Sequence, residues 1–358
     1  MAASPYASSL GRLKAYTPTL LTREAFGPLV AAKDVAEVIK LLEPTSYGSE
    51  IAASAASYRG APLLEVAVNR TFVLRNRLAY EATPFAGRLL VGAYLRRWDI
   101  QNIGLVLAAK AQGRPIAETE TALVSSRDIP AGLFAGTLTI DDFRVLLQQA
   151  TLDAVAQALL KFGYGAVLLP RMEAYNRSHD IFPLLTALDR YYYEQLLEAA
   201  LYYQGDEWVV RLLLQSEIDV RNVLLLLKGK DAGLPIEPVQ ERFLDGGSLS
   251  RTSVPELYGA RSVEEVVAAL AGRFPALPQG NEVYQKERSL TGYESALWRE
   301  RAVQELKRLR SYPLSVSMVF TFLLLAELER TDLRRIAYGK LYGLSEGAIE
   351  AQLIVPKL

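Results

Sequence analysis

The sequence contains no cysteine and a single histidine, His179, among its 358 residues. The absence of cysteine excludes disulfides, thiolate chemistry and zinc sites of the cysteine–histidine kind. A Ser-His-Asp triad would have to use His179, which lies in a polar stretch and is better explained as a solvated loop residue.

An excess of charge of one sign is also absent, because 40 Lys and Arg residues balance 40 Asp and Glu residues. A neutral chain has no overall field to attract nucleic acid or an anionic membrane, so we predict no nucleic-acid partner. The best candidate for a membrane span, residues 314–326, falls short of the ~20 apolar residues required and is followed by Glu327. The first residues lack the features of a signal peptide. We predict a chain without a transmembrane span, either cytoplasmic or attached to a membrane through other proteins.

One stretch of the sequence occurs twice. Residues 99–116 and 219–236 share Asp, Asn, two Leu, Lys, Gly, Pro and Ile at one constant offset (219 − 99 = 120). A weaker third copy begins at Asp332, and its glycine follows after 11 residues (343 − 332) instead of 14 (113 − 99). The difference is close to one helical turn, so the same helix face would stay buried.

Each copy predicts a helix with its own start, stop and exit. We expect the aspartate to cap the first turn, because a carboxylate accepts the free backbone N–H groups there. A glycine should end each helix in the left-handed conformation, and a proline should prevent its continuation. The predicted caps and stops are Asp99, Gly113, Pro115, Asp219, Gly233, Pro235, Asp332 and Gly343, with Ser345 in place of the third proline.

Other landmarks keep the same order around each copy. A step of alanine, an apolar residue, any residue and arginine ends at Arg70, Arg190 and Arg299, upstream of the three aspartates. Short helices with acidic starts are predicted over 34–42, 152–160 and 262–270, and loops over 129–133 and 244–249. A strand over 132–140 is less favoured than a loop that leads into a helix. We predict an all-α fold with three helical repeat units, 1–130, 131–247 and 248–358.

No stretch combines the residues that catalysis or cofactor binding requires. The Gly-Lys pairs at 229–230 and 339–340 lack the earlier glycine and the following Ser or Thr of a phosphate loop. Asp141 and Asp142 could bind a metal, but a helix start explains them better. The tyrosines at 191–193 would point about 100° apart on a helix, which favours core and interface roles. We predict no catalytic residue, no cofactor and no bound metal.

A cluster of basic residues is the sharpest local charge feature of this neutral chain. A solvated helix face explains it most simply, and a partner-binding face is the alternative. Interleaved acids argue against nucleic acid as that partner. The residues of this possible partner face are Arg299, Arg301, Lys307, Arg308 and Arg310.

Taken together, these landmarks resemble the C subunit of the V/A-type rotary ATPases, which is the counterpart of the d subunit of vacuolar ATPases. The resemblance covers essentially the whole chain. It rests on the three aspartate patterns, on the helix exits at 110–116 and 230–236, and most specifically on residues 328–340. It implies a funnel of three similar helical domains around a pseudo-threefold axis.

The resemblance also implies a function. The chain would be a non-catalytic rotor component on the cytoplasmic side, one copy per complex, seated on the proteolipid ring and receiving the shaft formed by the D and F subunits. It would couple proton or sodium transport to ATP synthesis or hydrolysis elsewhere. Two alternatives stay open, an unrelated all-α scaffold protein and a helical hydrolase that uses carboxylates. Repeats of about 115 residues are long for a solenoid scaffold, whose repeats are typically ~20–50 residues.

Overall fold

A computed structural model describes residues 4–127, 129, 137–204 and 208–356. Over these residues the regular structure is helical. The β-type pairing within them is an isolated bridge between Ser126 and Ile129. The prediction of an all-α fold is confirmed. The first ten α-helices are α1 Ala7–Tyr16, α2 Phe26–Ala31, α3 Val35–Leu42, α4 Gly48–Ser54, α5 Gly60–Ala82, α6 Phe85–Leu95, α7 Arg97–Ala111, α8 Ile116–Ala122, α9 Ile140–Gln148 and α10 Leu152–Ala158. The others are α11 Tyr164–Ser178, α12 Phe182–Ala200, α13 Val209–Asp231, α14 Ile236–Arg242, α15 Val254–Tyr258, α16 Val263–Leu270, α17 Asn281–Glu287, α18 Thr291–Arg310, α19 Ser317–Leu341 and α20 Glu346–Gln352.

The short helices with acidic starts are present as α3, α10 and α16. Each follows a residue whose side chain accepts the backbone N–H group three residues on, namely Asp34, Thr151 and Ser262. Such caps satisfy donors that the first helical turn leaves unpaired. Asp142 also lies in a first turn, where it forms a capping box with Thr139 at the start of α9.

The repeat glycines lie just beyond the ends of α7, α13 and α19. Gly113, Gly233 and Gly343 have φ angles of 65°, 63° and 70°, the left-handed conformation in which glycine carries no steric cost. The residue after each glycine donates its backbone N–H group to a carbonyl five residues back, at 2.8–2.9 Å. This pattern satisfies helix-end carbonyls. Pro115, Pro235 and Ser345 follow as the N-cap residues of α8, α14 and α20.

The remaining local predictions fall on loops and buried positions. The predicted loop at 244–249 is a turn without helix, whereas 129–133 and the first part of 132–140 lie outside the described residues apart from Ile129. His179 ends α11 with a φ angle of 54°. Tyr192 and Tyr193 are buried in the core, as the spacing of that run suggested.

The apolar stretch at 314–326 supplies the start of α19, and most of its side chains are buried in the protein core. Across the described part of the chain, no helix has the length and apolarity that a bilayer crossing requires. A second, smaller core draws on residues from Val220 to Leu297 and therefore includes both sides of residue 247. The unit limits at 130 and 247 stay predictions.

The long helices are related by a recurring contact. Helix α7 packs against α12, α13 packs against α18, and α19 packs against α5. In each case the helix that carries a repeat aspartate meets the helix that carries the arginine step, Arg190, Arg299 or Arg70. The last of the three contacts joins the C-terminal third of the chain to the N-terminal third.

Candidate functional site

The repeat aspartates occupy different positions from the helix starts at which we expected them. Asp99 is the third residue of α7, whereas Asp219 and Asp332 lie well inside α13 and α19. All three side chains are buried. The reason is that the chain upstream of Asp219 and Asp332 continues the helix, so the backbone N–H groups around them are already bonded within it.

These buried carboxylates bind segments that come later in the chain. Each accepts hydrogen bonds from backbone N–H groups, at 2.7–3.4 Å. The donors are Leu138 for Asp99, Ser248 and Leu249 for Asp219, and Ile354 and Val355 for Asp332. Since an unpaired buried backbone group is costly, each aspartate fixes one returning segment against its long helix.

A second side chain, three residues after each aspartate, reinforces this attachment. Asn102 donates to the carbonyl of Val124 and accepts its N–H group, both at 2.8 Å. Asn222 binds both backbone groups of Leu244 in the same way, at 2.8 and 2.9 Å. The third copy has Arg335 there, which donates to the carbonyl of Gln352. The sequence comparison of the two copies includes both asparagines, and both lie three residues after an aspartate, but this spacing alone did not predict their role.

Burial shifts the pKa values of Asp99 and Asp332. It raises the pKa of Asp99 to about 7, although hydrogen bonds from Tyr164 and Leu138 favour the charged form. It also raises the pKa of Asp332, against the opposing effect of two backbone hydrogen bonds. Both shifts follow from the cost of a charge in a poorly solvated interior.

A buried ionic junction lies two residues before the aspartates, at Arg97 and Glu217. The guanidinium of Arg97 on α7 binds the carboxylate of Glu217 on α13. Arg301 on α18 contacts the other oxygen of Glu217 at 3.1 Å. Tyr193 donates its hydroxyl proton to the oxygen that Arg97 binds, at 2.6 Å. Glu217 therefore sits between two arginines from two different helices, with side chains almost fully buried.

The charges around Glu217 decide its protonation. Burial alone would raise the pKa of this carboxyl, but Arg97, Arg301 and Arg221 outweigh burial and lower the pKa to about 2. A buried ionic group of this kind is expensive to break, because removal of one partner leaves an uncompensated charge in the interior.

A second buried group joins α5 to α19. Arg75 contacts Glu329 at 2.8 Å, and Tyr47 donates its hydroxyl proton to the same carboxylate at 2.5 Å. The other oxygen of Glu329 accepts the backbone N–H group of Leu21 at 2.8 Å.

Two further polar contacts lie along the same helix pair. Arg334 binds Glu65 at 2.7 Å, and Arg330 donates to Asn69 at 2.7 Å. Burial, together with the neighbouring Arg334, lowers the pKa of Arg330 to about 9. The contact between α5 and α19 is therefore fixed by hydrogen bonds along its length as well as by apolar packing.

The possible partner face at the end of α18 is smaller than the sequence suggested. Arg301 is buried in the ionic junction, and Arg299 donates to the carbonyls of Ala351 and Leu353 at 2.8–3.1 Å. These two arginines are therefore structural. The exposed members are Lys307, Arg308 and Arg310, of which Arg308 pairs with Glu305 at 2.8 Å.

The two buried ionic groups give this site its physical character. They connect α7, α13 and α18 in one place, and α5 and α19 in another, across 84 to 269 residues of sequence. Such groups resist sliding and twisting between helices, because any displacement separates buried charges from their partners. The arrangement is suited to mechanical stiffness.

Known proteins resemble this chain over almost its whole length. Residues 10–352 match the model of the ATP synthase (C/AC39) subunit family. The C subunit of the A-type ATP synthase of Thermoplasma acidophilum is 35% identical over 98% of both chains, and that of Thermoplasma volcanium is 32% identical over 96% of both. The corresponding protein of Methanocaldococcus jannaschii is 25% identical, over 98% of this chain and 86% of that one. Members of the family are non-catalytic components of the rotary complex. The chain belongs to the ATP synthase (C/AC39) subunit family.

Proposed function

We propose that this chain is the central-stalk rotor component that connects the shaft of the D and F subunits to the proteolipid ring in the membrane. It transmits torque, so that transport of protons or sodium ions is coupled to ATP synthesis or hydrolysis in other subunits. Membership of the ATP synthase (C/AC39) subunit family supports a place for this chain in the rotary complex. It argues against the two alternatives, an unrelated scaffold protein and a hydrolase. The observation that carries the mechanical role is the buried ionic junction around Glu217.

The arrangement within the chain is part of the proposal. Three repeat units, 1–130, 131–247 and 248–358, form a funnel around a pseudo-threefold axis. The contacts α7–α12, α13–α18 and α19–α5 support it, since each unit presents its aspartate helix to the arginine-step helix of the next. Three contacts of one kind that return to the first unit are what a closed arrangement around an axis requires.

A chain of this kind would occupy the rotor axis by itself. Three unlike copies of a unit within one polypeptide favour one copy per complex, held peripherally on the cytoplasmic side. The exposed residues Lys307, Arg308 and Arg310 then contribute to a face that contacts a partner.

The test is removal and replacement of the chain in its own complex. Without it, we expect a head that still hydrolyses ATP but is released from the ring and pumps no ions. The full-length chain should restore one copy per assembly by native mass spectrometry, together with ion transport. An intact assembly, coupled without this chain, would refute the proposal.

A further inference from the structure

One arginine in the contact between α5 and α19 is buried without an ionic partner. Arg330 is 3% exposed, and its Nε atom donates to the amide oxygen of Asn69 at 2.7 Å. Its buried Nη2 atom has no hydrogen-bond partner. Within the part of the chain that the structure describes, no carboxylate lies within ion-pair distance of this guanidinium. Such a charge is costly, because the protein interior solvates it poorly.

The acids around Arg330 are already paired with other arginines. The pairs are Glu65 with Arg334 at 2.7 Å, Glu327 with Arg97 at 3.6 Å, and Glu329 with Arg75 at 2.8 Å. Burial lowers the pKa of Arg330 to about 9, so the guanidinium is still protonated near neutral pH. Arg330 therefore adds a buried positive charge that no acid of the described chain compensates at close range.

Two aromatic rings lie against this guanidinium. The Cζ atom of Arg330 is 5.3 Å from the ring centres of both Phe72 and Trp98, and the two rings meet edge to face with their centres 4.8 Å apart. A ring face attracts a cation, but more weakly than burial disfavours it. The indole Nε1 of Trp98 is also buried and has no hydrogen-bond partner. Two unpaired N–H donors thus belong to side chains that pack against each other.

A third unpaired group lies one helical turn further along α5. Asn69, Phe72 and Asn76 are spaced by three and four residues, so they share one face of the helix. The amide of Asn76 is buried, and neither its nitrogen nor its oxygen has a hydrogen-bond partner. This face of α5 therefore carries a further donor beside the two aromatic rings.

We propose that Arg330 binds a small monovalent anion of the size of chloride inside the protein, between α5, α7 and α19. The anion accepts hydrogen bonds from Nη2 of Arg330 and Nε1 of Trp98, and the amide of Asn76 is the further donor. A water molecule also accepts such bonds, but it leaves the positive charge uncompensated, whereas an anion compensates it. This inference goes beyond the proposed function, because it makes the contact between the first and last thirds of the chain depend on a bound ion.

The experiment is urea unfolding of the purified full-length chain, with potassium chloride replacing potassium gluconate at constant ionic strength. Above the dissociation constant, each tenfold rise in chloride should lower the unfolding equilibrium constant about tenfold, because one ion is released on unfolding. Arg330→Met keeps a long side chain without the charge, and it should abolish this dependence. The matched control is Arg334→Met, one turn later on α19, because Arg334 is already paired with Glu65. It should lower the stability but keep the chloride dependence.

A second measurement does not require any variant to fold. Crystals of the wild type grown in bromide should give an anomalous-scattering peak at hydrogen-bond distance from Nη2 of Arg330 and Nε1 of Trp98. Trp98→Phe keeps an aromatic ring but removes one donor, so it should weaken chloride binding roughly tenfold. Trp298→Phe, in which the lost indole belongs to α18, should leave chloride binding unchanged.

Three outcomes would overturn the inference. One is unfolding of the wild type that is the same in chloride and in gluconate. Another is a chloride dependence that survives in Arg330→Met, which would place the ion elsewhere or indicate a general salt effect. The third is a bromide map with an ordered water molecule, and no anomalous peak, beside Arg330. In each case the rotor function stands, since it does not depend on the ion.

Discussion

Glu217→Gln is the substitution that tests the ionic junction most directly. It removes the negative charge that Arg97 and Arg301 share in the interior. The surrounding arginines outweigh burial and lower the pKa of Glu217 from the ordinary 4.5 to about 2. Because the substitution leaves two buried arginines without the charge that they share, we expect it to destabilise the folded chain by the ~3–5 kcal/mol that breaking a buried ion pair typically costs.

The lowered pKa of Glu217 also predicts how this loss of stability depends on pH. Since the carboxyl of Glu217 has a lower pKa when folded, the unfolded chain binds more protons between about pH 4.5 and 2. The stabilisation is therefore complete above the unfolded pKa and is lost as the pH falls toward the folded pKa. The wild type and Glu217→Gln should differ most near neutral pH and converge in acid.

Urea unfolding, followed by tryptophan fluorescence at several pH values, measures both effects. Trp98 and Trp298 report on the junction, because their rings lie 5.8 and 5.3 Å from the guanidinium carbons of Arg97 and Arg301. The control is Glu282→Gln, because Glu282 is exposed and pairs with the equally exposed Lys286, so that its loss should change little. A loss below about 0.5 kcal/mol at neutral pH, or one that persists unchanged in acid, would refute the reasoning.

Three further predictions concern other parts of the chain. Burial raises the pKa of Asp99 to about 7, so the folded chain binds the extra proton and loses stability as the pH rises toward 7. Asp99→Asn should abolish that decline in thermal unfolding, and an unchanged pH slope would contradict it. Gly343→Ala should lower the free energy of unfolding by about 1 kcal/mol, because the φ angle of Gly343 is 70°. Gly347→Ala, inside α20 with open space around it, should be neutral or stabilising. Urea unfolding measures both, and a loss of stability in both variants would argue against this. Arg308→Glu with Arg310→Glu should weaken retention on ring-containing membranes and reduce its salt dependence, and unchanged retention would remove the partner face.

Local signals in the sequence were sufficient for the short helices α3, α10 and α16 and for the glycine ends of α7, α13 and α19, but not for the starts of those three long helices. Ser262, Gly113 and Pro115 act through neighbours within five residues, so their roles follow from short spacings. Asp219 and Asp332 accept backbone N–H groups as a helix cap does, but the donors lie 22 to 30 residues later in the chain. A sequence does not show which of these two uses applies, because the distinction depends on whether the helix continues upstream.

The ionic junction was missed for a related reason. Arg97 and Glu217 occupy equivalent positions in the repeat, 120 residues apart, but polar or charged neighbours precede each of them in the sequence. Opposite charges at equivalent positions of a repeat were the one visible signal of a pair. Arg301 was instead grouped with the exposed cations of α18, since nothing local in the sequence distinguishes the buried side of that helix from Lys307 and Arg310.

The contact between α5 and α19 affects the order in which the protein can be completed during synthesis. Arg75 on α5 cannot pair with Glu329 until the ribosome has added 254 further residues. Glu65 cannot pair with Arg334 until 269 further residues have been added. Until then Arg75 and Glu65 lack the charged partners that α19 supplies, and the apolar surface around them stays open to chaperones and proteases. A nascent chain that stops before α19 would therefore be defective in its first third, far from the point of truncation.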